Sequence, residues 1–178
     1  KNRRSKKPSA LISFEIHDDK LIVKLSASLE TTKGIKLYIP IKNISKINIK
    51  GGGLPRYSND VAINHLELLI QSGAEADTNI NANNFSCLVM GGPVLNLEGK
   101  VSKKADIFVK EGSVLQGKKF ECVECDMTVL GASKCKLKVT NSLNARVENE
   151  SRLVYSGKPN TVKKTVKLNG KIRSSFLF

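Results

Sequence analysis

The residues with the most chemistry to offer are four cysteines and a pair of aspartates. Cys122-Val123-Glu124-Cys125 is a C-x-x-C, the spacing of a redox dithiol or of half a zinc site, and Cys87 and Cys135 complete the thiols. A zinc site of this type needs a second pair of ligands. Cys135 alone does not supply one, and the two histidines, His17 and His65, are far off in sequence. No metal ligand and no cofactor is therefore assigned. Asp106 and Asp126 stand twenty residues apart, which would stack two carboxylates on neighbouring turns of a chain repeating at that interval. A calcium site or a catalytic pair would use such a stack. The plainer expectation is two solvated, outward side chains.

Cations are more plentiful. Lys103, Lys104, Lys118, Lys119, Lys134, Lys136 and Lys138 crowd the middle of the chain. A stacked basic ladder built from them would hold an anionic polysaccharide or the phosphates of lipopolysaccharide. Nucleic acid is not expected as a partner, because only Tyr38, Tyr57, Tyr155 and a few Phe offer stacking platforms. The plainer reading is that lysines on strand faces keep the surface solvated and discourage edge pairing.

The composition sets limits on both readings. The chain has 178 residues, 30 Lys+Arg against 16 Asp+Glu, a formal charge of +14, 40% hydrophobic residues, 5% aromatic residues and no Trp. That length suits one domain or two small ones, and the apolar share is too high for a disordered polymer. No window approaches 18 consecutive apolar residues, which excludes a membrane-spanning helix. Five of the cations fall in the first seven residues, Lys1 to Lys7, so residues 1–10 are expected to form a basic flexible segment. With no initial Met and no hydrophobic signal segment, the chain is expected to begin inside a longer precursor.

The elements that would position these side chains are announced by a repeat. Short apolar stretches ending at Ile49, Ile70, Val89, Val109, Val129, Val147 and Leu168 each run into a small or polar turn, at spacings of 21, 19, 20, 20, 18 and 21 residues. Apolar and polar residues alternate strictly through Ala105–Val109 and Cys135–Val139, which is strand patterning, and no helical stripe of useful length occurs. A β-sandwich would need hairpins and irregular partners, whereas a solenoid stacks equivalent residues about 4.8 Å apart. The regular period favours the solenoid. Its columns would hold the seven anchors; Ile47, Leu68, Cys87, Ile107, Met127, Ala145 and Val166; and Ala76, Leu95, Leu115, Cys135, Leu153 and Ser174. The fold expected is an all-β parallel β-helix of about seven turns of about 20 residues, with two or three short strands per turn. The lead-in strands occupy 11–45, the repeated turns 46–173, and an apolar cap 174–178, which folds over the last turn or packs on a partner chain. Cys87, Cys125 and Cys135 then point inward as small buried hydrophobes. Cys122 falls at a corner, and only the local Cys122–Cys125 pair stays open to oxidation.

Several segments resemble a known family. Asp19-Lys20-Leu21-Ile22-Val23, Ile35-Lys36-Leu37-Tyr38-Ile39-Pro40, the turns Gly51-Gly52-Gly53, Ser72-Gly73 and Gly91-Gly92, and the closing Tyr155-Ser156-Gly157-Lys158-Pro159 look like the putative auto-transporter adhesin head domain, secreted proteins common in Bacteroidetes. The likeness covers roughly residues 12–175. It implies a right-handed single-stranded β-helix exported to the periplasm, outer membrane or cell surface of a Gram-negative bacterium, with no established activity. The turns Glu111-Gly112 and Asn149-Glu150 depart from the Gly-Ser-Gly usual in that family, and family members usually carry further β structure before the opening segment.

No enzyme is expected, since Asp60, Glu98, Asp106 and Glu121 are scattered one per turn rather than clustered. The function expected is non-enzymatic adhesion or cell-surface interaction, with a surface glycan or another protein as partner. The alternatives are a binder of anionic polysaccharide or lipopolysaccharide through the lysine face and, third, an enzyme acting on polysaccharide.

Overall fold

The computed structural model describes residues 12–17, 20–25, 44–51, 56–58, 62–73 and 75–176. The basic segment 1–10, most of the lead-in residues and the last two residues of the expected cap, Leu177 and Phe178, lie outside this set. The chain divides into two compact units, Lys1–Pro40 and Ile41–Phe178. In the first, β1 (Ile12–His17) and β2 (Lys20–Leu25) pair antiparallel, and Lys24 Nζ meets the Glu15 carboxylate at 2.8 Å.

The second unit is a parallel β-solenoid of about six turns, the number of intervals that seven anchors delimit. Its strands are β3 (Lys46–Lys50), β4 (Arg56–Ser58), β5 (Ile63–Gln71), β6 (Glu75–Met90), β7 (Val94–Lys110), β8 (Val114–Val129), β9 (Lys134–Val147), β10 (Arg152–Ser156), β11 (Thr161–Val166) and β12 (Lys171–Ser174). They stack in the order β12-β10-β9-β8-β7-β6-β5-β3, with β4 on β6 and β11 on β9, every pairing parallel. In the central turns the expected short strands are fused: β6, β7 and β8 run 16, 17 and 16 residues. They bend through the corners at register shifts such as Ala82/Asn84, Val101/Lys104 and Gly117/Glu121.

The inward columns match the sequence periodicity through β9. Ile49, Ile70, Val89, Val109, Val129 and Val147 are successive register partners, as are Leu68, Cys87, Ile107, Met127 and Ala145. The last turn corrects the expectation by two residues. Val166, not Leu168, stacks under Val147, Lys164 stacks under Ala145, and Ile172 rather than Ser174 continues the Leu153 column. Leu168 instead has φ +47° and is 68% exposed.

One backbone device recurs at six turns of the described residues. Ser72-Gly73, Gly91-Gly92, Glu111-Gly112, Gly131-Ala132, Asn149-Glu150 and Leu168-Asn169 are all consecutive left-handed pairs. Glu111-Gly112 and Asn149-Glu150 therefore form the same corner as the glycine turns, though a side chain in that region is strained. The corners stack on one another through bonds such as Gly112 N–H to the Gly131 carbonyl (2.7 Å) and Ala132 N–H to the Asn149 carbonyl (2.8 Å). Beside them Ser113, Ser133 and Ser151 form a buried column, in which Ser133 N–H donates to Ser151 Oγ at 3.2 Å.

All four thiols are free and buried, Cys122 included. Cys122 stands beside the register shift between Cys122 and Glu124, as its expected corner placement requires, and is nonetheless fully enclosed, donating to the Lys138 carbonyl at 3.6 Å. Burial pushes the Cys87 thiol up to about 12 and raises Cys135 well above its ordinary value. Cys125 is raised first by its hydrogen bond with Cys122 and then by burial. The thiolate is the reactive species, so the native protein is expected to resist a thiol-specific reagent at neutral pH, with all four cysteines reacting only in denaturant. Rapid labelling of even one thiol in the folded protein would contradict this packing.

Candidate functional site

The solenoid does not gather the seven candidate lysines into one site. Lys103 and Lys104 lie at the β7 corner, Lys118 and Lys119 at the β8 corner, and Lys134, Lys136 and Lys138 at alternate positions along β9. Three of them are matched by carboxylates from other turns. Lys104 Nζ sits 3.1 Å from Asp106 and 2.6 Å from Asp126, Lys119 is 3.0 Å from Glu98, and Lys138 is 2.7 Å from Glu121. Lys100 approaches Glu121 as well, at 3.6 Å.

The stacked aspartates are register partners, as their spacing required, and Lys104 bridges them. A cation is thus already supplied by the chain where calcium would have to sit. Hydrogen bonding to Lys104 holds the Asp126 carboxyl below its ordinary value, and Lys138 does the same to Glu121. Lys104 is raised in return by Asp126 and Asp106. A carboxylate with a depressed folded-state pKa contributes stability that is present above its unfolded value and lost as pH falls through the folded one. The window therefore opens near the ordinary values of 3.8 for Asp and 4.5 for Glu and extends below them. These pairs are partly solvated, so each is worth at most about 1 kcal/mol. Lys104→Met is expected to lower the urea midpoint at pH 7 and to leave less stability to lose on acidification. An unchanged acid dependence would show that the bridge contributes nothing.

The remaining cations assemble differently. Two adjacent outward columns begin just after the corner turns. One reads Glu75, Val94, Val114, Lys134, Arg152, Lys171, and the other Arg56, Asp77, Asn96, Gln116, Lys136, Val154, Arg173. This face changes from acidic on β6, through apolar and amide side chains on β7 and β8, to basic on β9, β10 and β12. At the basic end Lys134, Arg152 and Lys171 occupy consecutive strands, about 4.8 Å apart. Among the described residues no side chain of Lys134, Lys136, Arg152, Lys171 or Arg173 has an ion-pair or hydrogen-bond partner. Beyond Lys138 on the same flank, a shallow cavity of about 360 Å³ opens between Lys118, Lys138, Lys158, Ser156 and Phe176. Its floor is tight, because a side chain at Gly157 (φ +91°) would run into the Val139 carbonyl.

Lys134 and Lys136 were readable from sequence as candidates, whereas Arg152, Lys171 and Arg173 were not. Arg152 lies about twenty residues from Lys171 and Arg173 in sequence, and only strand register joins it to them. His17 and His65 are exposed on β1 and β5, and among the described residues no group of three or more His, Cys, Asp or Glu side chains could hold a metal ion.

No curated protein matches the chain. A crystal structure of a putative adhesin from Bacteroides fragilis superposes with a TM-score of 0.73 at 18% identity, covering 93% of this chain and 77% of that one. At that identity the likeness establishes the fold. The sequence profile of the family described as "Putative auto-transporter adhesin, head GIN domain" matches residues 7–159, most of the chain, which therefore belongs to that family.

Proposed function

We propose that this chain is a non-enzymatic secreted or cell-surface domain that mediates adhesion or another surface interaction. The observation that carries the reading is the solenoid's lateral architecture in a family described as adhesin heads. Stacked turns hold outward side chains in straight columns on strands fixed by continuous parallel ladders, so a partner meets a preordered surface and little is lost to ordering on contact. The third reading, an enzyme on acidic polysaccharide, relied on Asp106 and Asp126, and Lys104 already bridges both.

Adherence of the purified domain to intact cells, together with a glycan array at low and physiological salt, tests the proposal. Adherence with selective hits that survive the higher salt supports it. Failure to adhere to any surface would overturn it, and binding to every polyanion that salt abolishes would mean that charge alone is acting.

A further inference from the structure

We infer that the basic end of the two-column face, Lys134, Lys136, Arg152, Lys171 and Arg173, is a binding site for a linear acidic polysaccharide laid across strands β9, β10 and β12. The inference rests on the surface-interaction reading and assigns it a place and a ligand chemistry.

The first argument is electrostatic. Like charges directly opposite on neighbouring strands are destabilising, and Lys134, Arg152 and Lys171 are direct register partners. Elsewhere on the solenoid the chain avoids this cost. Lys46, Lys100, Lys104, Lys110, Lys119 and Lys138 each face a carboxylate within 4 Å. An uncompensated row in a molecule that compensates its other rows is stabilised when an external anion supplies the missing charge.

The second argument is geometric. The row lies along the stacking direction, with a cation on every strand in one column and on alternate strands in the other, where Val154 separates Lys136 from Arg173. That pattern suits a polymer with charges at short regular intervals and apolar ring surface between them. Arg152 and Arg173 add planar forks that engage carboxylate or sulfate with two hydrogen bonds.

Nucleic acid fits less well. The outward positions of β9, β10 and β12 on this face carry no aromatic side chain, since Tyr155 points inward and is 6% exposed, so bases find no stacking platform. Toward the other end the same columns carry no cation on β6, β7 or β8, so the continuous basic row is confined to β9, β10 and β12. Lys171 and Arg173 lie beyond the residues that the family profile matches, so two of the five cations are outside that family's shared span.

The experiment compares Lys134→Gln/Arg152→Gln/Lys171→Gln with a variant of equal net charge, Lys50→Gln/Lys163→Gln/Lys167→Gln, which leaves the row intact. Binding of a polyuronate oligosaccharide, a sulfated oligosaccharide and a single-stranded oligonucleotide is measured by titration at fixed salt, with thermal unfolding of each variant. At on the order of fivefold per cation near an anionic surface, the row variant is expected to lose about a hundredfold in saccharide affinity. The control is expected to change far less, and the row variant to unfold no earlier than the parent. Equal losses in the two variants would reduce the site to net charge and overturn it, as would tighter binding to the oligonucleotide than to either saccharide. Cell adherence is read in parallel. A row variant that still adheres and still binds saccharide overturns the site while the adhesion reading stands. Saccharide binding that depends on the row, in a domain that adheres to no cell, upholds the site and removes only the adhesion reading.

Discussion

Phe120→Ala is expected to lower the unfolding free energy by about 3–5 kcal/mol. Phe120 and Phe85 are the largest fully buried side chains among the described residues, and their rings pack tilted at 54° with centroids 5.8 Å apart. Phe120 stacks on Gly99 and through it on Ile80. Gly99 has φ +103°, and any Cβ there would strike the Ile80 carbonyl. The backbone of Gly99 thus packs directly against Ile80, while Phe120 on the next turn is fully buried against Phe85. The strands around the resulting cavity are tied into parallel ladders on both sides, so they cannot close over it. Denaturant unfolding is the readout, with a shifted midpoint and an unchanged slope. Phe120→Leu, which keeps most of the volume, is expected to lose less than half as much. A loss below about 1 kcal/mol for the alanine variant would mean that neighbouring turns relax into the space after all.

The same residue marks where sequence reading stops. The inward columns were legible because a strand alternates with period two, and a repeat near twenty residues brings the same parity back at each turn. Phe120 stands outside that logic. It follows Lys118-Lys119 in the register shift between Gly117 and Glu121, where the alternation is broken, so the two phenylalanines that join a core built mostly of Leu, Val and Ile include one that no alternation marks. The final turn failed for the complementary reason. Val166 and Leu168 share parity, so alternation cannot choose between them. The choice is made by the corner, where Glu150 N–H bonds the Leu168 carbonyl at 2.9 Å and draws Leu168 into the turn. Charge was the least legible property. The lysines that look clustered in sequence, Lys104, Lys119 and Lys138, are matched by carboxylates contributed from register neighbours. The unmatched row joins Lys134 to Arg152 and Lys171, which no short window contains.

Replacing Lys164 by Leu is expected to make the domain associate as its concentration rises, with little change in its own stability. Lys164 occupies the inward column of Leu68, Cys87, Ile107, Met127 and Ala145, yet it is the one charged side chain in that column, exposed on the last described turn with its Nζ 5.3 Å from the centre of the Tyr155 ring. Among the described residues β11 and β12 each pair on one side only, which leaves the end of the solenoid with open strand edges. Around them lie Val166, 48% exposed, Leu168, 68%, and Phe176, 92%. An open edge bordered by apolar side chains is a template for another strand, and an inward-pointing charge is a recognised way to block it. The cation–π contact is worth about 0.5–1 kcal/mol at an exposed position, so its loss barely moves the unfolding midpoint. The apolar column would, however, run uninterrupted to the end of the stack and present a continuous surface to a second molecule. Sedimentation velocity across a concentration series separates the two effects, with Lys164→Gln as the variant that removes the charge but keeps a polar end. Association in the leucine variant alone assigns the block to the buried cost of a polar group. Association in both assigns it to charge repulsion among Lys163, Lys164 and Lys167. A sedimentation coefficient that stays constant in both would show that the exposed edge needs no such guard.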